Sequence, residues 1–371
     1  MKIVVSGFYG LGNTGDEAIL DTIVHELKDK QGHDLTVFSL RPEETAEKHG
    51  VKSVYRGWRH AFREKLRAMR QADVLVSGGG GLLQDTYPTK IIFGPLPYYL
   101  LIAFLGKLMG CKVMFFAQGV GPVNSRYGKW LMRTFANRAN LITVRDQGSK
   151  DLLEKLKVRK PETIVTADIA FAYPASEDDA CLTNLPGEVQ GQKLVGVSIR
   201  PWFEEKKLYQ ELAKYLDQLI EEQGYTPVFI PMEGQHDVKA SGWVVDQMEH
   251  GDECHVLGPD FTPNQYLQMM KHCQFVIGMR LHSVIFATIA GVPMIPISYD
   301  PKVEAIAKQI GVWDYGMRLE DVSLELLNEK SEAIHEDLPA VKRQVEKSRE
   351  ERKQVALRNV ELLEEYFDQK L

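Results

Sequence analysis

QFVIGMRLHSVIFATIAGVPMIPISYDPKV, residues 274–303, decides how the chain is read. Its first segment is a short β-rich run ending in Gly278. Leu281, Val284, Ile285, Thr288 and Ile289 then recur at helical spacing, with Gly291 as a stop signal. A second apolar run, Pro293 to Ser298, ends in Tyr299, Asp300, Pro301 and Lys302. Strand, tight turn, helix and strand make the repeating unit of an open parallel sheet. In such a sheet, residues at the carboxyl ends of strands and in the first turn of the next helix meet in the ligand crevice. Arg280, His282, Tyr299 and Lys302 all fall there. The pattern predicts a cation-rich pocket beside a helix N-terminus, whose free N–H groups favour an anion.

Working outward, 371 residues exceed one ordinary domain and suggest two. The composition, 44% apolar and 26% charged with net charge -6, is that of a soluble globular protein and gives no support to nucleic-acid binding. Cys111, Cys181, Cys254 and Cys273 have no paired spacing, which fits reduced thiols and a cytoplasmic setting. Met1-Lys2 leads directly into the strand IVVSG, so no signal peptide is expected here. The apolar run from Ile91 to Met109 contains Pro95, Pro97 and Lys107 and reads as a loop and buried helix rather than a span.

At the start, Lys2 to Ser6 is a buried strand feeding a glycine-rich turn and an amphipathic helix, GFYGLGNTGDEAILDTIVHEL. A dinucleotide fold would want an acid at the end of the second strand; the strand Leu35 to Leu40 ends in Arg41, which argues against NAD. Asn13, Asp16 and Glu17 sit in the first helical turn, where capping is the plainest role, above all for Glu17. Asp73 to Ser77 reads as a strand followed by GGGGLLQD, and Gly78 to Gly81 mark a close approach to a ligand or to the other domain. Asp85 can bind a sugar hydroxyl or cap the next element. Lys112 to Ala117 is a further strand, with Gln118 in the loop after it. Repeated alternation makes residues 1–176 an α/β domain.

Two segments of this half, Arg56 to Arg70 and Asn124 to Arg138, are basic with interleaved aromatics, among them Trp58, Phe62, Trp130 and Phe135. On an acidic chain they suit either an anionic membrane face or a solvated helix surface. Residues 177–192 are polar, contain Pro186 and Gly187, and read as a linker. From 193 to 371 the alternation restarts, with Arg200 at a strand end and a charged helix from Glu336 onward that is expected to pack back across both domains. Cys254-His255 and His272-Cys273 lack metal-ligand spacing, so no metal is expected.

The ordered set NTGDEAIL, GGGGLLQD, AQGVGP, VSIRPW, GMRLHSVIFA and SYDPKV resembles the bacterial polysaccharide pyruvyltransferases over some 300 residues. The resemblance implies two Rossmann-like α/β domains facing a central cleft, as in the GT-B glycosyltransferases. It implies no cofactor or metal, phosphoenolpyruvate as donor substrate, and a cyclic pyruvate ketal on two sugar hydroxyls, 4,6-linked. It further implies an undecaprenyl-diphosphate-linked ManNAc-GlcNAc acceptor, a precursor of the secondary cell wall polymer that anchors S-layer proteins. The enzyme would then be cytoplasmic and peripheral at the inner face of the cell membrane.

Phosphoenolpyruvate bears a carboxylate and a phosphate of charge about -1.5 to -2, so its site needs fixed cations. Arg280 and Arg200 offer planar bidentate donors and Lys302 a point charge, with Tyr299, Leu281 and Ser283 beside them. His282 is the expected general acid and Asp16 the expected base on the acceptor hydroxyl. Asn13, Glu17, Asp85 and Gln118 complete the expected acceptor set. The rival readings are a sugar-nucleotide glycosyltransferase on the same architecture and a non-catalytic lipid-sugar binding module.

Overall fold

The computed structural model describes residues 1–57, 60–85, 94–176, 191–202 and 206–368. The chain divides into two compact units, Met1–Pro174 with Lys353–Leu371, and Ala175–Arg352. Most of the expected linker, residues 177–190, and Trp58 lie outside the described residues.

In the first unit the elements are β1 (Lys2–Ser6), α1 (Thr14–Val24), β2 (Asp34–Ser39), α2 (Pro42–His49), β3 (Lys52–Tyr55), α3 (Phe62–Gln71), β4 (Val74–Leu83), α4 (Pro95–Leu108), β5 (Lys112–Val120), α5 (Arg126–Phe135), β6 (Leu141–Val144), α6 (Gln147–Lys155) and β7 (Glu162–Val165). The strands form one parallel sheet in the order β3-β2-β1-β4-β5-β6-β7. The order reverses direction between β1 and β4, so the loops after these two strands open onto the switch point where open α/β sheets bind ligands.

Both glycine-rich segments differ from expectation. β4 does not stop at Ser77 but continues to Leu83, with Gly79 and Gly80 at φ +72° and +78° inside it. Gly80 pairs with Gln118 and Leu83 with Val120, so β4 spends one residue more than β5 over this step, a bulge. What approaches Gly79 and Gly80 is α1 of the same unit. A Cβ on Gly79 would fall 2.1 Å from Ile19 Cγ2, and one on Gly80 would fall 2.9 Å from Asp16 Oδ1. β5 likewise runs on through Gln118 to Val120.

The second unit contains β8 (Lys193–Ser198), α7 (Lys206–Gln223), β9 (Tyr225–Phe229), α8 (Gly234–Val245), β10 (His255–Val256), α9 (Pro263–Lys271), β11 (Cys273–Gly278), α10 (Leu281–Ala290), β12 (Met294–Ser298), α11 (Pro301–Ile310), β13 (Met317–Arg318), α12 (Leu324–Glu336) and α13 (Leu338–Phe367). Its parallel sheet has the order β10-β9-β8-β11-β12-β13, with the switch between β8 and β11. α10 is apolar on nearly every side because it packs between α9 and α11, and it ends at Gly291 with φ +72°.

α13 is shared. Up to Arg352 it belongs with the second unit, where Ser348 Oγ donates to the Ile310 carbonyl at 2.6 Å. From Lys353 it belongs with the first unit, where Asn359 Nδ2 donates to the Ala167 carbonyl at 3.1 Å and Glu364 meets His33 at 2.6 Å.

Candidate active site

In the second unit, Ser198 of β8 pairs with Gly278 of β11, and Arg200 and Arg280 each follow two residues later. Arg280 is the N-cap residue of α10, with φ -81° and ψ 142°, and its side chain makes no cap to the helix. Ser283 Oγ donates to the Arg280 carbonyl at 2.6 Å, and Gly278 leaves room for that hydroxyl, since a Cβ there would lie 2.8 Å from it. Leu281 and His282 are the first two residues of α10 and are half-buried. Their N–H groups begin the uncapped turn, where a helix favours negative charge.

Arg280, expected to turn its planar fork to the donor, is engaged within its own unit. Its Nε and Nη2 donate to the two carboxylate oxygens of Asp237, both at 2.5 Å, and Nη2 also meets Glu233 Oε2 at 2.6 Å. Asp237 is fully buried and further accepts the backbone N–H groups of Met232 and Glu233 at 3.0 and 2.9 Å. Burial pushes its carboxyl pKa up, against the pull of Arg280. Arg280 therefore ties the first turn of α8, and Glu233 just before it, to the loop after β11; the Nη1 edge takes no part in these contacts.

Arg200 is different. Its Nη1 donates to the Tyr299 hydroxyl at 2.8 Å, and its guanidinium carbon lies 4.7 Å from the Tyr299 ring centre and 5.8 Å from that of Trp202. The two rings pack 5.2 Å apart. Arg200 Nε is buried without a hydrogen-bond partner, and Arg200 forms no ion pair among the described residues. Tyr299 also lies within electrostatic reach of Arg280. Lys302 is in the first turn of α11, but that turn is already capped: Asp300 Oδ1 accepts the Lys302 N–H at 2.9 Å.

In the first unit, Asn13 and Glu17 hold the backbone. Asn13 Oδ1 accepts from Gly15 and Asp16 at 3.1 and 3.2 Å, which caps α1. Glu17 Oε1 accepts the Gly10 N–H at 2.9 Å, bracing the glycine-rich turn, and burial raises its pKa. Asp85, expected either to bind a sugar hydroxyl or to cap the next element, faces the segment before α5: Oδ1 accepts from Asn124 N at 2.8 Å, and Oδ2 from Ser125 N and Oγ at 2.9 and 2.6 Å. It secures the loop ahead of α5. The expectation that Gln118 lies in a loop is corrected: it is fully buried inside β5, with Nε2 donating to the Ser77 carbonyl at 2.9 Å.

Asp16 remains at the carboxyl end of the sheet, half-buried against Gly80. Its charge helps raise the pKa of Tyr9 and of Tyr99, after burial, which is the larger cause in both. Tyr9 donates to the Gly78 carbonyl at 2.8 Å, and Arg56 Nη2 donates to the Tyr99 hydroxyl at 2.9 Å. The Arg56 guanidinium also faces Phe8, Tyr98 and Tyr99 at 5.5, 4.9 and 5.5 Å. Tyr9, Tyr98 and Tyr99 are buried, so this cluster braces the turn after β1 against α4, with Asp16 at its edge. Sequence reading missed Asp237, Arg56 and this aromatic set. The signals present were an acid in the helix turn after a strand, in PMEGQHD, and the Tyr98-Tyr99 pair near the start of an apolar helix.

The sequence model of the family described as polysaccharide pyruvyl transferase matches residues 13–301, which include Asp16, Arg200, Arg280 and His282. The chain belongs to the polysaccharide pyruvyl transferase family. A relative of this pyruvyl transferase chain, the amylovoran biosynthesis protein AmsJ of Erwinia amylovora, is 25% identical over 269 residues, covering 68% of this chain and 62% of that protein. Among solved structures, HepE of Anabaena in complex with UDP-glucose matches with TM-score 0.67 and 14% identity over 98% of this chain and 100% of that one. A glycosyltransferase of Rickettsia africae (TM-score 0.64, 12%, 98% of each chain) is also similar. So is a UDP-GlcNAc 2-epimerase of Methanocaldococcus jannaschii (TM-score 0.63, 12%, 90% of this chain and 92% of that one). These likenesses assign the pyruvyl transferase chain the fold of the GT-B glycosyltransferases and epimerases.

Proposed function

We propose that the protein transfers pyruvate from phosphoenolpyruvate to two hydroxyls of a ManNAc residue in a lipid-linked ManNAc-GlcNAc precursor, closing a 4,6-linked cyclic ketal for a secondary cell wall polymer that anchors S-layer proteins. Family membership supports the reaction class. The observation that carries the donor site is Arg200, a guanidinium held by aromatic partners with no carboxylate paired to it among the described residues, at the strand end next to the uncapped start of α10. Such a cation is available to an anionic donor.

In this reading the donor's phosphate and carboxylate are bound by Arg200, Lys302 and the first N–H groups of α10. A proton delivered to the methylene carbon turns it into a methyl group and leaves the central carbon electrophilic. His282 gives that proton. A sugar hydroxyl bonds to the central carbon as Asp16 takes its proton. The bond to phosphate then breaks, and the second hydroxyl closes the ring, its proton leaving with phosphate. Per turnover, one donor and one diol give one ketal and one inorganic phosphate.

The test is mass spectrometry of a defined lipid-linked disaccharide incubated with the protein and phosphoenolpyruvate, alongside the His282→Ala variant. The expected result is a pyruvyl ketal with stoichiometric phosphate release, lost in the folded variant. Hexose transfer from a sugar nucleotide, or acceptor binding without phosphate release, would replace this reading. Phosphate release by the variant at the parent rate would remove His282 from the mechanism.

A further inference from the structure

On the first unit, α4 packs against both α3 and α5. A helix lying on the face of a sheet normally turns a polar side to solvent. α4, PLPYYLLIAFLGKL, has Lys107 as its single charge, and Leu101, Phe104 and Leu105, which are only partly buried, recur at helical spacing with the exposed Leu108. Leu108 is 59% exposed. Beside it on α5, Trp130 is 54% exposed and stacks on Tyr127 at 6.1 Å, and Phe135 bridges Trp130 to Phe104 at 6.0 and 5.1 Å.

Cations flank this apolar strip on both sides. Arg63, Arg67 and Arg70 are exposed along one stripe of α3, and Phe62 at its start is 42% exposed. Arg126, Lys129 and Arg133 are exposed on α5, which carries no acid. On a chain of net charge -6 this concentration of positive charge around uncovered leucine and tryptophan complements a surface that is anionic outside and apolar beneath. No helix among the described residues is long and apolar enough to cross a membrane.

We propose that the α3–α4–α5 face docks on an anionic phospholipid bilayer, with Leu108 and Trp130 entering the headgroup boundary and the arginines of α3 and α5 meeting lipid phosphates. The experiment is co-sedimentation of the full chain with phosphatidylcholine vesicles, with and without phosphatidylglycerol. It reads binding without substrate, so its outcome is independent of the reaction proposed above. Binding is expected to the anionic vesicles and to weaken by about tenfold or more on neutral ones. It should fall similarly between about 0.05 M and 0.5 M salt. Leu108→Glu, and separately Arg63→Glu with Arg67→Glu and Arg70→Glu, should each cost about tenfold or more, with circular dichroism confirming the fold. Equal binding to neutral vesicles, no binding, or variants that bind like the parent chain would overturn the proposal. So would a dimer that Leu108→Glu converts to a monomer, which would assign the face to a second copy.

Discussion

Arg280 is bound through Nε and Nη2 to both carboxylate oxygens of Asp237, two 2.5 Å contacts in a buried setting that join segments 43 residues apart. Removing one partner of a buried pair strands the other. Asp237→Ala is therefore expected to destabilise the chain by roughly 3–5 kcal/mol, read by urea denaturation. A loss under about 1 kcal/mol would match an exposed pair instead.

Arg200 is expected to behave in the opposite way, with a small effect on stability and a large one on the donor. Losing a hydrogen bond to a charged group costs about 1.5–3 kcal/mol, so Arg200→Ala should raise the KM for phosphoenolpyruvate by roughly ten- to a hundredfold. Arg200→Lys should not restore it, because an ammonium cannot reproduce the planar contact with the Tyr299 and Trp202 rings. Steady-state kinetics with varied donor checks both.

Glu17 should make stability depend on pH. Burial raises its pKa, so the folded chain favours the neutral acid. Its contribution to stability is then full in acid, below the ordinary carboxylate range, and is lost as pH rises through the raised value. Glu17→Gln keeps an oxygen for the Gly10 N–H but does not titrate. Its stability relative to the parent chain should improve between about pH 4 and pH 8; denaturation curves showing a constant or opposite difference would contradict this.

Gly79→Ala should be among the most damaging single substitutions in the first unit. The new methyl would meet Ile19 Cγ2 at 2.1 Å, from a backbone at φ +72°. A left-handed residue costs about 1–2 kcal/mol and overpacking about 1–3 kcal/mol, so a loss of roughly 2–5 kcal/mol is expected by thermal or urea unfolding. Gly12→Ala shares the positive φ, but its added methyl meets nothing within 4 Å, so it should lose only the first part.

The alternation of apolar runs and capped helices made both parallel sheets legible, and the motif residues at strand ends fell where the switch points lie. Periodicity carries no information about partners far apart in the chain. It placed Arg280 at the strand end but could not reveal Asp237, which engages it. Runs of glycine read as loops because their sequence resembles one, whereas Gly79 and Gly80 sit inside a hydrogen-bonded strand. Gln118 was misplaced for the same reason: AQGVG looks like a turn, yet its backbone continues the ladder.

The extra residue that β4 takes between Gly80 and Leu83 falls just ahead of Asp85. Dropping one glycine from the run of four would bring β4 and β5 level over this step, erasing the bulge while leaving Leu83 able to pair with Val120. The fourth glycine thus supplies local bend and twist, which aims the chain toward the place where Asp85 meets Asn124 and Ser125.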